Sequence, residues 1–162
     1  MLPRINIVEC EDANYLLFST DDAISNILRR TGKWEEHILQ ISAFMLQGIE
    51  NPLVIDIGAN LGAFSIPLAK KIQSAGGQVI GFEPQRIIYY QLCGNVILNR
   101  LDNYFAIHSA VGQRTGFIET PEVNYENMTN IGGFSLEEKY NEIRGLSRYI
   151  ETIKKGCTID SS

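Results

Sequence analysis

Cysteine is scarce and poorly placed for structural work. The 162 residues hold 3, Cys10, Cys93 and Cys157. An odd number spread this far apart builds neither a disulfide framework nor a zinc ladder, and it suits a reducing cytosol. Histidine is rarer still, with only His37 and His108. His, Cys, Asp and Glu show no ligand spacing, so no metal is implied. No run approaches the ~18 consecutive apolar residues of a membrane-spanning helix. The opening Met1-Leu2-Pro3-Arg4-Ile5-Asn6 lacks the basic flank and apolar core of a secretory leader. These absences set the expectation of a cytoplasmic location. Excess positive charge is missing too. With 14 basic and 19 acidic residues the net charge is −5. That argues against a protein whose affinity comes from neutralising phosphates along a nucleic acid. There is neither an internal repeat nor a low-complexity tract. What is present is a composition 44% hydrophobic and 20% charged, that of a globular chain with a packed core. The length fits one domain or part of one.

Residues 5–10 and 14–18 read as the two strands of a hairpin. Ser19-Thr20-Asp21-Asp22 reads as a helix start, where a hydroxyl can cap the free amides and the two aspartates suit the positive end. Ile24, Ile27, Leu28 and Thr31 follow at helical spacing, and Gly32 is the stop. Trp34, Ile38, Ile41 and Met45 form a second apolar stripe, ended by Gly48 and Asn51-Pro52. Residues 1–51 are therefore expected as a hairpin and helical cap on a domain spanning 52–162.

In that domain Leu53–Ile57 reads as a strand buried on both faces. Residues 61–74 are helical in pattern, with Pro67 near the first turn or at a kink. A second strand follows over 78–83, and a long helix over 85–101. Tyr90, Gly94, Ile97 and Leu101 line its stripe, widened by Ile88, Leu92 and Val96. Gly94 costs roughly 1 kcal/mol in a helix interior, and close packing is one reason to tolerate it. A third strand is expected over 104–111, with 115–119 as its hairpin partner. The polar stretch 121–133 reads as a surface loop, 136–146 as weakly helical and 149–159 as strand-like. Strand, helix, strand, helix, strand argues for a right-handed α/β winding.

The chemistry is concentrated in Val54-Ile55-Asp56-Ile57-Gly58-Ala59-Asn60-Leu61-Gly62. A carboxylate at the end of a buried strand precedes a glycine-bearing turn into a helix, and in open α/β sheets ligands bind outside the carboxyl ends of the strands. Glycine lets the backbone turn sharply and approach a ligand, and a helix start offers unpaired amides to an anionic group. Glu83, at the end of the next strand and followed by Pro84, can accept both hydroxyls of a ribose. Asp56 and Glu83 would then flank a nucleoside-like cofactor. A dinucleotide site wants Gly-x-Gly-x-x-Gly to admit a pyrophosphate. Here position 60 is asparagine, and the pattern is Asp-x-Gly-x-x-x-Gly. That suits a ligand without pyrophosphate that carries an amino acid group, the shape of S-adenosylmethionine (SAM).

Together with Gly81-Phe82-Glu83-Pro84-Gln85, Asn95-Val96-Ile97-Leu98-Asn99 and Ala110-Val111-Gly112, the turn resembles the FkbM family of SAM-dependent methyltransferases. The resemblance extends to Gly32-Lys33-Trp34-Glu35, Asn130-Ile131-Gly132-Gly133 and Thr158-Ile159-Asp160. It implies a Rossmann-like class I methyltransferase fold, here an incomplete parallel-sheet core with an N-terminal hairpin and helical cap. The implied reaction is methyl transfer, usually to oxygen, on a small-molecule or sugar acceptor. By position, Asp56, Gly58, Ala59, Asn60 and Gly62 would surround the methionine part of SAM. Glu83 would take the ribose hydroxyls, Pro84 and Gln85 would lie beside the adenine, and Ala110 and Val111 would close the adenine pocket.

Proteins of that family continue into an Ile-Asp-Val-Glu-Gly-like strand, whereas this chain stops at Asp160-Ser161-Ser162. The expectation is an N-terminal part of a methyltransferase domain, with no catalytic base nameable and an open apolar sheet edge that invites self-association. Two rivals stand: an NAD(P)-dependent oxidoreductase, against which Asn60 counts, and a catalytically incomplete SAM-binding fragment. His108, Asn95 and Asn99 read as structural, and Tyr125, Asn127 and Asn130 as residues of a loop that could meet substrate.

Overall fold

The computed structural model describes residues 2–112, 116–120, 125 and 151–155. The expected elements over 121–133 (Tyr125 apart) and 136–146 lie outside them, as do Cys157 and the motifs at 130–133 and 158–160.

The N-terminal hairpin forms as expected. β1 (Ile5–Glu9) and β2 (Asn14–Phe18) pair antiparallel, with Ile7 opposite Leu16. α1 (Ala23–Thr31) starts where Asp22 accepts a hydrogen bond from the Ser25 amide at 3.0 Å. It stops at Gly32, whose φ of 71° lets its amide reach the Leu28 carbonyl. α2 (Glu36–Met45) forms too, but its stripe does not face the core. Ile41 and Met45 are 59% and 70% exposed, and Leu39 is the buried residue. Helical spacing marks which residues share a face. It cannot say whether an element lies over that face, and here α2 meets α3 through a different one.

β3 (Leu53–Ile57), β4 (Gln78–Phe82) and β5 (Tyr104–Ile107) form a parallel sheet in the order β3-β4-β5. α3 (Ser65–Ile72) and α4 (Arg86–Leu98) are the crossovers. This is a Rossmann-like α/β winding, as the strand–helix alternation predicts. Pro67 is the third residue of α3, in the first turn, where the amide it lacks has no intrahelical partner to lose. A 3₁₀ turn (Gln73–Ala75) and Gly76, with φ 73°, then end the crossover.

The core lies on one face of the sheet. Val79 and Tyr104 pack there with Ile66 of α3, Leu92 of α4, and Tyr15 and Leu17 of β2. On the other face Leu53, Ile55, Ile57 and Phe105 are all about half exposed, from 46% to 59%. Burial of β3 on both faces is thus not what the described residues show, because both crossovers pack on the same side. The expected partner of β5 is also corrected. β6 (Gly116–Thr120) pairs antiparallel with β7 (Glu151–Lys155).

The buried row of α4 differs from its apolar stripe. Ile97 and Tyr90 are exposed, while Gln91 and Asn95 are buried beside Ile88 and Leu92. Two amides hold core positions because they face the outer edge of β2, whose backbone needs partners. Gly94 is explained by the same contact: a Cβ there would lie 2.7 Å from Leu16 Cδ1.

Candidate functional site

Between β3 and α3 the chain makes a tight turn at the carboxyl edge of the sheet. Gly58, Asn60 and Gly62 all have positive φ, at 83°, 52° and 86°. Asparagine is one of the few non-glycine residues that tolerate this region, and Asn60 Oδ1 accepts from the Leu61 amide at 2.7 Å. Gly62 is also sterically required. A Cβ there would fall 2.5 Å from Ile66 Cδ1 and 2.9 Å from Leu92 Cδ1, where side chains of α3 and α4 converge on the turn. Beside Gly58 there is open space, with nothing within 4 Å of a Cβ position.

The turn is stitched to the end of β4. The Gly58 and Ala59 amides both donate to the Phe82 carbonyl at 2.9 Å. The Asn60 amide donates to Glu83 Oε2, also at 2.9 Å, and the Gly62 amide to the Ala59 carbonyl. Every amide from Gly58 to Gly62 therefore has a partner within the protein. The expectation of free amides for an anionic group fails over this stretch, because the turn folds back over β4 instead of standing clear of it.

Glu83 is the most constrained charged group in the site. It is 3% exposed, and its other carboxylate oxygen accepts from the Gln85 amide at 2.8 Å. Burial pushes its pKa up to about 7, the Gln85 and Asn60 amides pull against that rise, and the Asp56 charge adds slightly to it. A carboxylate has about four acceptor positions, so two amide bonds leave capacity for hydroxyl donors.

Asp56 lies in the same site but in a different setting. It is half-buried, burial raises its pKa, and a hydrogen bond with Ser65 opposes the rise. The Ser65 hydroxyl is 2.8 Å from that of Tyr104. Gly81 pairs with Asp56 in register and clears the way, since a Cβ there would strike the Tyr104 hydroxyl. Asp56, Ser65 and Tyr104 thus form a polar cluster beneath the turn. Sequence reasoning missed Ser65 and Tyr104; a glycine inside a strand opposite a carboxylate was the available signal.

The remaining predicted residues lie along the same edge. Gln85 is buried and its Oε1 accepts from the Tyr125 hydroxyl at 3.4 Å. The Pro84 carbonyl lies 3.1 Å from His108 Nε2, and the His108 ring stacks on Tyr89 with centroids 4.9 Å apart. His108 is thus a satisfied structural histidine. Ala110 is buried and Val111 half-buried, just past a tight turn in which the Ser109 amide donates to the Ile107 carbonyl. The structure brings the Gly58–Gly62 turn, Glu83 and Gln85 together by direct hydrogen bonds, with Asp56 near enough to Glu83 to act on its charge. At the opposite edge of the sheet, a cleft of about 600 Å³ between α2 and α3, lined by Phe44, Leu46, Ile49 and Ile72, contains none of these residues. Among the described residues, no cluster of three His, Cys, Asp or Glu could hold a metal ion, and no helix is long and apolar enough to cross a membrane.

No family model matches the chain. It is 41% identical over 58 residues to a tRNA(Phe) (4-demethylwyosine(37)-C(7)) aminocarboxypropyltransferase of Methanocaldococcus jannaschii, covering 36% of this chain and 22% of that protein. It is 30% identical over 90 residues to methyltransferase sdnD of Sordaria araneosa, covering 55% of this chain and 33% of that one. The chain thus spans a third or less of either relative. Among solved structures, TYW2 of M. jannaschii in complex with AdoMet aligns over 65% of this chain and 43% of its own, with 28% identity and a TM-score of 0.47. A SAM-dependent methyltransferase from Agrobacterium tumefaciens aligns over 68% and 34%, with 16% identity and a TM-score of 0.48.

Proposed function

We propose that this chain holds SAM at the carboxyl ends of β3, β4 and β5, as part of a methyltransferase of the FkbM type that acts on an oxygen of a small-molecule or sugar acceptor. The observation that carries the reading is Glu83. It is a buried carboxylate fixed by the Asn60 and Gln85 amides, with acceptor capacity left over, next to a turn that has open space at Gly58. That pairing suits a ribose edge, and the turn has neither the glycine pattern nor the free amides that a pyrophosphate would need. The local match to methyltransferase sdnD of S. araneosa runs in the same direction.

In this reading Glu83 accepts the ribose hydroxyls, Asp56 faces the ammonium group, and Pro84, Gln85, Ala110 and Val111 flank the base. SAM, when bound, supplies a methyl group on a sulfonium that is already a good leaving group. The protein's own task is then positioning and a field suited to loss of positive charge. Calorimetric titration with S-adenosylhomocysteine, with NAD as control, tests the cofactor. The expected result is binding of the former alone, lost in Glu83→Ala. Binding of NAD instead would sink the reading.

The M. jannaschii relative favours a second reading, in which the aminocarboxypropyl group rather than the methyl group leaves SAM. The two differ in their by-product. Methyl transfer releases S-adenosylhomocysteine, and aminocarboxypropyl transfer releases methylthioadenosine, so chromatography of a SAM incubation with candidate acceptors separates them.

A further inference from the structure

We propose that the N-terminal hairpin is a working part of the cofactor site, with Asn95 and Tyr15 as positioning residues that hold the Gly58–Ala63 turn by two of its carbonyl groups. This rests on the cofactor reading above and extends it to residues that touch no cofactor.

Pro67 creates the first need. Ala63 lies just ahead of α3, and the residue four positions on, Pro67, has no amide to offer its carbonyl. The Tyr15 hydroxyl, reaching from β2, donates to that carbonyl at 3.3 Å. Tyr15 is 1% exposed, and burial together with the Cys10 and Asp12 charges raises its pKa, so it stays protonated and able to donate. The second carbonyl is that of Leu61, which accepts from Asn95 Nδ2 at 2.8 Å. Asn95 is fully buried, and its Oδ1 accepts from the Leu16 amide on β2 at 2.6 Å. One side-chain amide therefore joins the hairpin edge to the turn.

Asn95 belongs to a row of amides on α4 at four-residue spacing. Gln91 Nε2 donates to the Leu16 carbonyl at 2.7 Å. Asn99 exchanges two bonds with Asn14, accepting from its amide at 2.9 Å and donating to its carbonyl at 2.7 Å. The Phe18 carbonyl, next along the same edge, accepts from Arg29. Side chains thus stand in for a missing strand along the outer edge of β2, which would otherwise expose unpaired backbone groups. The same row that docks the hairpin fixes Leu61, between the strained residues Asn60 and Gly62. If the turn's shape sets cofactor affinity, hairpin docking and cofactor binding must be linked, and linkage acts equally in both directions.

The test is amide hydrogen exchange on the whole chain with and without S-adenosylhomocysteine, together with titration of Asn99→Ala and Tyr15→Phe. Asn99 touches neither the turn nor the site. Saturating ligand is expected to slow exchange at the Asn14 and Leu16 amides about tenfold in the unsubstituted chain. Asn99→Ala and Tyr15→Phe are each expected to weaken binding by about three- to tenfold while far-UV circular dichroism stays unchanged. A hairpin that is only scaffold would show no ligand effect on its amides, and this readout needs no substituted protein to fold. If the ligand binds and the hairpin amides do not respond, the proposal is overturned and the cofactor reading stands. If the unsubstituted chain binds no ligand, both fall together.

Discussion

Glu83→Gln removes a buried negative charge while keeping the size of the side chain. In the folded chain the Glu83 pKa stands at about 7 against an ordinary 4.5, so a gap of this size is worth about 3 kcal/mol. The folded state holds this proton more tightly than the unfolded state does. Glu83 therefore contributes stability that is fully present below pH 4.5 and is lost as pH rises through about 7. Between pH 5 and pH 8 this one group should lower stability by most of that amount. Glutamine abolishes the dependence, but its Nε2 must face the amide of either Asn60 or Gln85, and a buried unpaired donor costs about 1–3 kcal/mol at every pH. The variant should be less stable than the natural chain at pH 5, and the two should converge at pH 8. Urea unfolding followed by circular dichroism across this range measures it. Two stability profiles that stay parallel would refute the reasoning, since they would place the charge of Glu83 in an environment no worse than water. Ligand binding carries the same signature. Ribose hydroxyls donate to the charged form, so S-adenosylhomocysteine should bind about tenfold more weakly at pH 6 than at pH 8, with a proton released near neutrality.

Gly62→Ala should cost about 2–4 kcal/mol, from a left-handed backbone plus overpacking against Ile66 and Leu92; a change under about 0.5 kcal/mol in urea unfolding would mean that the Ile66 and Leu92 side chains give way easily. Thr20 Oγ1 is buried with no hydrogen-bond partner among the described residues, so Thr20→Val should be neutral or stabilising by up to about 1 kcal/mol, and a lower melting temperature would show that the hydroxyl is bonded. Among the described residues, Leu53, Ile55, Ile57 and Phe105 expose one face of the sheet, and β3 lies at its edge. Sedimentation velocity should therefore show self-association that Ile55→Lys reduces; a natural chain that stays monomeric at high concentration would count against it.

Local chemistry determined much of this protein without help from the fold. The helix start after Asp22, the Gly32 stop, the short apolar strands and the placement of Pro67 follow from neighbours a few residues apart, and the structure forms each of them, with the Asp22 carboxylate rather than a hydroxyl as the cap. The turn and the two strand-end carboxylates of the candidate site are legible for the same reason. Positive φ favours glycine or asparagine at 58, 60 and 62, and a carboxylate ending each of two adjacent strands is a pattern in one dimension. What covers a face is not such a pattern. The stripe of α2 and the outward residues of β3 are apolar whether or not anything packs on them, and only the tertiary arrangement left them exposed. The buried row of α4 inverts the lesson. Asn95 and Asn99 read as structural from their spacing, but the partner they share with Gln91 is the outer edge of β2, which arrives from some 80 positions earlier in sequence. Burying a polar group is tolerable only when a partner meets it. Spacing can place the amides on one side of a helix, but the strand edge that satisfies them exists only in the folded molecule.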